Sequence, residues 1–514
     1  MKSPLTIPTL KDILTAFLLL AAGAAARGQS GTFVANQPPI PVGLEPTCVI
    51  AADVSGDGYV DLITADNGTN TLTILTNTGN GTFVFATNVT VGNNPACVVA
   101  ADFNGDGKLD LACVNEFDDT LTVLTNAGHL WFVQTAVIPV GQLPYWLAVA
   151  DFNGDGKPDL VCANSATNTL TVLTNAGNAL FIPSSTNTVG EWPFFVLAAD
   201  VNNDGYPDLI SANNFDGTVT ILTNNGQGVF ALASTPSVGL GSSPTSIAAV
   251  DFTGESRPDL IVADSGADNL TVLANQGNGR FAPFGALDVG GYPQSVAVVD
   301  VTGDGFVDVI SANYYDNTLT VLDGGGKGLV RFDSLLSDTN SPFCLAVADV
   351  NGDGKPDVIC ADLGGTVTVW TNSGQVVLSR PALSASAAFQ ATLTGNAGSV
   401  YGVEGSTDLV HWTTLQFVAL TNRASRFSAR SALPICCYRA ALVRAPVLAS
   451  PAYARPTGFE ASLLAAAGAT NVVQVSSDLL NWTPLLTNVN TNVIWRFTNS
   501  TPGLSRRFYR VVTP

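Results

Sequence analysis

Histidine is almost absent from this 514-residue chain, occurring only at His129 and His411. That excludes a histidine-rich metal centre and leaves little scope for imidazole acid–base chemistry. Charge is also scarce, at 12% Asp, Glu, Lys and Arg, and it runs one way: 41 acids against 21 bases, for a net charge of −20. A chain so acidic lacks the basic patches that grip a phosphate backbone, which argues against nucleic acid as a partner. Long apolar runs are missing beyond the N-terminus, so no membrane span is expected in the mature chain. Against these shortages stand 49 Gly, 28 Pro and 46% apolar residues. That balance describes a turn-rich β protein and not a disordered chain or a coiled coil.

At the N-terminus, Lys2 and Lys11 precede an apolar run over residues 13–26, with small residues after it. This is the order of a secretory signal, and cleavage after Ala26 or Gly28 satisfies the small-residue rule. Residues 1–28 are therefore expected to be a signal peptide and the protein to be secreted or held at the cell surface.

The segment Ala-Asp-Phe-Asn-Gly-Asp-Gly-Lys occurs at 101–108 and again at 150–157, and related segments begin at Asp53, Asp200, Asp251, Asp300 and Asp349. The seven copies are spaced by 49, 49, 49, 51, 49 and 49 residues, the signature of a solenoid or propeller. Each unit reads as an apolar strand, an acidic loop, a second strand, an Asn/Asp-rich turn, an alternating run such as Thr-Leu-Thr-Val-Leu-Thr-Asn at 169–175, a Gly-rich turn and a Phe-led fourth strand. Four antiparallel strands make a propeller blade, and the alternation predicts a half-buried third strand. A proline stands seven residues before the first loop Asp of every unit (Pro46, Pro95, Pro144, Pro193, Pro244, Pro293, Pro342), where the chain crosses between blades. Residues 31–43 resemble the tail of a blade without its beginning, and the last unit lacks a matching Gly-x-x-Phe. An N-terminal strand is thus expected to complete blade seven, giving a propeller over 29–378; the alternative is that 376–378 supplies that strand.

The acidic loops carry oxygen-bearing side chains at positions 1, 3, 5 and 9: Asp53, Ser55, Asp57, Asp61; Asp102, Asn104, Asp106, Asp110; Asp151, Asn153, Asp155, Asp159; Asp200, Asn202, Asp204, Asp208; Asp300, Thr302, Asp304, Asp308; and Asp349, Asn351, Asp353, Asp357. With Gly at position 6 and a carbonyl at 7, this set suits a hard cation, calcium before magnesium. The other reading is a series of Asx turns that merely punctuate hairpins. An EF-hand would need a Glu at position 12 and flanking helices, and has neither. The fifth loop (Asp251, Thr253, Glu255, Asp259) has Ser256 for Gly and Arg257 beside it, so its site is expected to be weak. About six calcium sites result, with a seventh degenerate.

These loops, the Gly-x-Gly-x-Phe turns and the seven-fold count resemble the FG-GAP/VCBS repeats of integrin-α-like propellers, over about residues 31–378. The resemblance implies calcium held in hairpin loops on one face and extracellular adhesion, carbohydrate or protein recognition elsewhere.

Eight cysteines in an exported chain raise the question of disulfides. Cys97 and Cys113 stand at the same offsets as Cys344 and Cys360, so pairing across a hairpin is one reading and buried free thiols the other. From about residue 380 a different duplication appears, in which 406–413 matches 476–483. Residues 379–445 and 446–514 are expected to be two small β-sandwich-like modules, with Trp412 and Trp482 in their cores.

The reading for function is a secreted, calcium-binding recognition or adhesion module for a glycan or protein. A polysaccharide lyase or hydrolase on a propeller is the alternative, but no catalytic residue stands out. By strand order the calcium loops and Gly-rich turns share one face, and the second turns and crossovers share the other. That other face carries Phe117, Tyr145, Trp192, Phe194, Phe215, Tyr292, Tyr314 and Tyr315, which can stack on sugar rings or form protein hot spots. Their distribution over blades two to four and six predicts a site offset from the central axis.

Overall fold

The computed structural model describes residues 33–372, except Leu240 and Thr339, and beyond them the backbone of the strands between Val377 and Val512. All regular elements among the described residues are β-strands. No helix there is long and apolar enough to cross a membrane. The expected signal peptide, Trp412 and Trp482 lie outside the described residues.

Residues 33–372 form seven antiparallel sheets, one per repeat. Blade three is representative: Pro144–Ala150 pairs with Asp159–Asn164, which pairs with Thr169–Asn175, which pairs with Phe181–Thr188. Each inner strand packs against the inner strand of the next blade, and the seventh against the first, which closes a seven-bladed propeller. The repeat prolines are the first residues of the inner strands, where a missing N–H costs the ladder least.

Burial follows from face-to-face packing of the blades. Every residue of the second strand is buried in all seven blades, whereas the outer strand of blade three is largely exposed. The third strand is more buried than the half-buried expectation, because its central threonine, Thr171, is buried along with its leucines. Polarity alternates there without any exposure to match: Thr171 accepts a 2.9 Å hydrogen bond from the Asn164 amide, and Thr122, Thr220 and Thr320 accept the same bond from Asn115, Asn213 and Asn313. The central threonine therefore sits on an interblade face, its buried hydroxyl bonded to Asn in blades two, three, four and six and to Asp66 and Asp362 in blades one and seven.

Blade seven takes its outer strand from the other end of the chain. β1 (Phe33–Ala35) and β2 (Ile40–Pro41) both pair antiparallel with Thr366–Asn372, with Phe33 opposite Asn372 and Ile40 opposite Val367. Asn36 and Gln37, between the two strands, also donate to the Gly81 and Phe83 carbonyls of blade one, so the segment touches both sides of the seam. Val377–Leu383 is a strand, but it pairs with Phe389–Thr394. The expected boundary at 378/379 therefore falls inside a strand, and the propeller's compact unit ends at Asn372.

The remaining strands repeat one pairing scheme. Two three-stranded sheets (Val377–Leu383, Phe389–Thr394 and Ala424–Ala429; Thr413–Ala419, Val400–Ser406 and Cys437–Leu442) are followed by two with the same connectivity between Val447 and Val512.

The disulfide reading is corrected. Cys97 lies opposite Val114, not Cys113, and Cys344 lies opposite Ala361, not Cys360. All six cysteines between Cys48 and Cys360 are free and buried. One sulfur contact runs between blades, Cys48 Sγ to Cys97 Sγ at 3.6 Å.

Candidate functional site

Each acidic loop is wound around its first aspartate. Asp151 Oδ1 accepts the N–H of Gly154 and Asp155 at 2.8 and 3.2 Å, and Oδ2 accepts that of Gly156 at 2.7 Å. Asp53, Asp102, Asp200, Asp300 and Asp349 do the same for their own loops. The turn needs positive φ at positions 4 and 6, where Gly154 and Gly156 adopt 76° and 81°. In the fifth loop Ser256 is held at 61°, in the left-handed region where a side chain is strained. Even so, Asp251 caps that loop as its counterparts do.

The side chains at positions 1, 3 and 5 gather on the exposed side. Ser55 donates to Asp53, Asn202 donates to Asp204, and Asn104 and Asn153 accept the N–H of Asp106 and Asp155. Thr302 donates to Asp300, and Asn351 accepts from Asp353. This all-oxygen donor set has the chemistry a hard cation requires.

The ninth position behaves differently. Asp61, Asp110, Asp159, Asp208, Asp259, Asp308 and Asp357 are buried. In blade three Asp159 Oδ2 accepts the Phe152 N–H at 3.2 Å and Oδ1 accepts the Asn175 N–H at 2.7 Å. The Asn175 amide in turn donates to the Phe103 carbonyl of blade two at 2.9 Å. The contact recurs from Asn126 to Val54, Asn224 to Phe152, Asn275 to Val201, Asn372 to Val301, and across the seam from Asn77 to Val350. Blade six has Asp323 in place of the Asn, and there the Gly328 N–H reaches the Phe252 carbonyl instead. Position 9 thus ties loop to blade and blade to blade. No loop brings three carboxylates within 4.8 Å of one another: the oxygens at positions 1, 3 and 5 lie on the exposed side, while the ninth carboxylate is buried beneath and accepts backbone N–H groups.

Position 7 separates the loops further. Lys108 and Lys157 place ammonium groups 2.8 Å from Asp106 and Asp155, lowering the pKa of both acids. In the fifth loop Arg257 pairs with Glu255. Loops one, four and six have the exposed aromatics Tyr59, Tyr206 and Phe306 there instead, which sequence reasoning passed over. Their signal was the variation at position 7 inside an otherwise fixed loop.

Burial pushes the ninth carboxyls up: Asp208 and Asp308 to about 6 and Asp357 to about 7. Between the unfolded value of 3.8 and these values, the folded state holds protons that the unfolded chain releases. Stability without metal should therefore fall as pH rises from about 4 to about 7. The lowered Asp106 and Asp155 act in the opposite direction, but they are exposed and screened. Thermal melts in chelator across that range check the sign, and a melting temperature that climbs steadily with pH would contradict it.

On the opposite face the aromatic residues meet in groups. Trp192 stacks on Phe215 with centroids 4.7 Å apart at 12°, and Tyr145 on Phe194 at 3.9 Å. Tyr292 lies 4.4 Å from Tyr315 and 6.0 Å from Tyr314. Phe117, Phe215 and Tyr315 are 63%, 67% and 65% exposed. The acids beside them are partly committed: Asp118, Asp216 and Asp316 accept the N–H of Asn93, Glu191 and Gly291 and so hold the crossovers. Trp192 and Tyr292 sit at φ 57° and 58° immediately before proline. Each is locked there by an Asn or Asp of the preceding blade, Asn168 and Asp268.

A cavity of about 490 Å³ opens among these crossovers, lined from blades one, two, three, six and seven. It brings Tyr145 and Tyr314 together with Glu45, Glu116 and Phe343. Burial raises the pKa of both Glu116 and Tyr145. The expected offset site draws on blades two to four and six, and this hollow draws on blades one, two, three, six and seven.

The FG-GAP-like repeat family matches six overlapping stretches, 53–113, 102–162, 151–211, 200–262, 256–311 and 300–360. The chain belongs to this family, whose propeller is a recognition or adhesion type of scaffold. No curated protein matches it in sequence. Among solved structures it is similar in fold to BBS1N, crystallised in complex with ARL6DN, at 14% identity and a TM-score of 0.50, over 67% of this chain and 98% of that one. A protein from Lactobacillus plantarum (15% identity, TM-score 0.46, 58% and 86% covered) and one of unknown function from Desulfotomaculum acetoxidans (13%, 0.45, 60% and 94%) also resemble it.

Proposed function

We propose that the protein is a secreted, calcium-stabilised recognition propeller that holds a glycan or protein ligand on its crossover face. The observation that carries this reading is the grouping of stacked, partly exposed aromatics on the crossover face, where Tyr145 and Tyr314 also line a 490 Å³ hollow bearing Glu45 and Glu116. Flat rings beside carboxylates and amides suit sugar faces and hydroxyls, and equally an aromatic anchor from a protein partner. In this reading calcium is held by positions 1, 3 and 5 of the loops on the other face. Loops one, four and six bind it more tightly than two and three, whose Lys side chains compete, and loop five binds least.

The test combines calorimetry with a glycan array. Chelated protein refilled with calcium should count about six ions and melt at a higher temperature, since a ligand that prefers the folded state stabilises it. On the array, Trp192→Ala and Tyr315→Ala should lose the binding shown by the parent chain while keeping its calcium count. Normal binding by both variants would remove the crossover face from consideration.

A further inference from the structure

Blade seven departs from the repeat at two buried positions that face each other. Where the chain leaves one blade for the next, the other units have Val42, Val91, Val140, Val189, Val238 and Val289, and blade seven has Asp338. The position is structurally equivalent, because the Asp338 N–H donates to the Asn317 carbonyl just as the Val189 N–H donates to that of Asn168. At the end of the second strand, blades two, three, four and six have Asn115, Asn164, Asn213 and Asn313, and blade seven has Asp362. Two residues earlier stands Cys360. The carboxylate oxygens of Asp338 and Asp362 and the Cys360 sulfur lie within 4.8 Å of one another, and all three residues are buried.

The oxygens of this group are not satisfied. Asp338 Oδ1 accepts the Asn340 N–H and Asp362 Oδ2 accepts the Thr366 and Thr368 hydroxyls. Asp338 Oδ2 and Asp362 Oδ1 are buried without a donor in hydrogen-bonding geometry. Blades one and five also carry an aspartate here: Asp66 is supplied by Thr64 at Oδ1 and Thr73 at Oδ2, and Asp264 keeps one orphan oxygen, but among the described residues only blade seven brings a second carboxylate and a thiol to the position. Two carboxylates buried side by side with an orphan oxygen each are costly unless a cation or a proton lies between them.

We propose that Asp338, Cys360 and Asp362 form a site for a thiophilic divalent cation of the zinc class, separate from the calcium loops. One sulfur and two carboxylate oxygens are a zinc-type donor set, whereas calcium takes six to eight oxygens. Binding replaces the thiol proton, so Cys360 enters as thiolate and one proton leaves to solvent. The ion neutralises the two buried oxygens left without a donor in hydrogen-bonding geometry, and takes the place of the Cys360 thiol proton beside Asp362.

Cobalt(II) reads the site without interference from the loops, because only a thiolate ligand gives the sulfur-to-metal charge-transfer band in the near ultraviolet. Metal-stripped, reduced full-length protein should show that band and take up one more zinc than the variants Asp338→Val, Asp362→Asn and Cys360→Ser. Each variant carries the residue that sister blades have at that position, so folding should be retained, and calcium uptake provides the check. Absence of the cobalt band, or equal zinc uptake by the parent and all three variants, would overturn the proposal and leave a shared proton as the link between the two acids.

Discussion

Asp159→Ala should destabilise the propeller by roughly 4 kcal/mol, far more than any substitution at the exposed loop positions, and should do so whether or not calcium is present. The carboxylate is buried and accepts the Phe152 and Asn175 N–H groups. Removing it strands two backbone donors at about 1–3 kcal/mol each and opens a small void. Asp155, by contrast, accepts one N–H and pairs with an exposed Lys157, an arrangement worth about 1 kcal/mol or less. Glu255→Ala should cost less still, since the fifth loop's Glu pairs only with Arg257. Denaturant melts of the three variants in calcium and in chelator separate the roles. If the Asp159→Ala deficit vanished in chelator, the ninth carboxylate would be a metal ligand first and a scaffold second.

Deleting residues 29–44 should have an effect of similar size, by a different route. β1 and β2 supply the outer strand of blade seven, with Ile40 buried and the Asn36 and Val42 N–H groups bonded to the Val369 and Gly365 carbonyls. Burying one Ile contributes about 2–3 kcal/mol and each of several backbone hydrogen bonds about 1 kcal/mol, so the loss is roughly 5 kcal/mol. The deletion also exposes the third strand Thr366–Asn372 as an unpaired edge. The expected result is a lower melting temperature together with concentration-dependent association, followed by light scattering. A truncated chain that melts like the parent and stays monomeric would show that the seam is held elsewhere.

The period, the blade count and the pairing of the N-terminal segment were legible because a propeller repeats one supersecondary unit, and a repeat shows in any single sequence. What each acid does was less legible. An Asp in a Gly-rich loop reads the same whether it faces solvent, as Asp155 does, or closes the loop from beneath, as Asp159 does. The difference depends on which N–H groups lie across the hairpin. The threonines of the third strand misled for a related reason: alternating polarity implies exposure only where one face is wet, and here both faces meet neighbouring blades, with Asn164 and its counterparts satisfying the hydroxyls. Trp192 with Phe215, and Tyr292 with Tyr315, meet within one repeat, whereas Tyr145 stacks on Phe194 of the next blade and was out of reach of any reading confined to one repeat. The substitutions at Asp338 and Asp362, on the other hand, were visible as departures from the period, and only the fold shows that the two face each other.

Phe33 and Asn372 stand directly opposite one another in an antiparallel pair, so the chain enters and leaves the ring at the same rung. A pull applied through the two ends would therefore load the ladder one rung at a time, peeling β1 away like a zipper and not shearing all its bonds together. The weak mechanical axis of this ring is the line joining its own two ends, while a load carried from blade to blade through the Asn175 to Phe103 type of link would meet every blade in series.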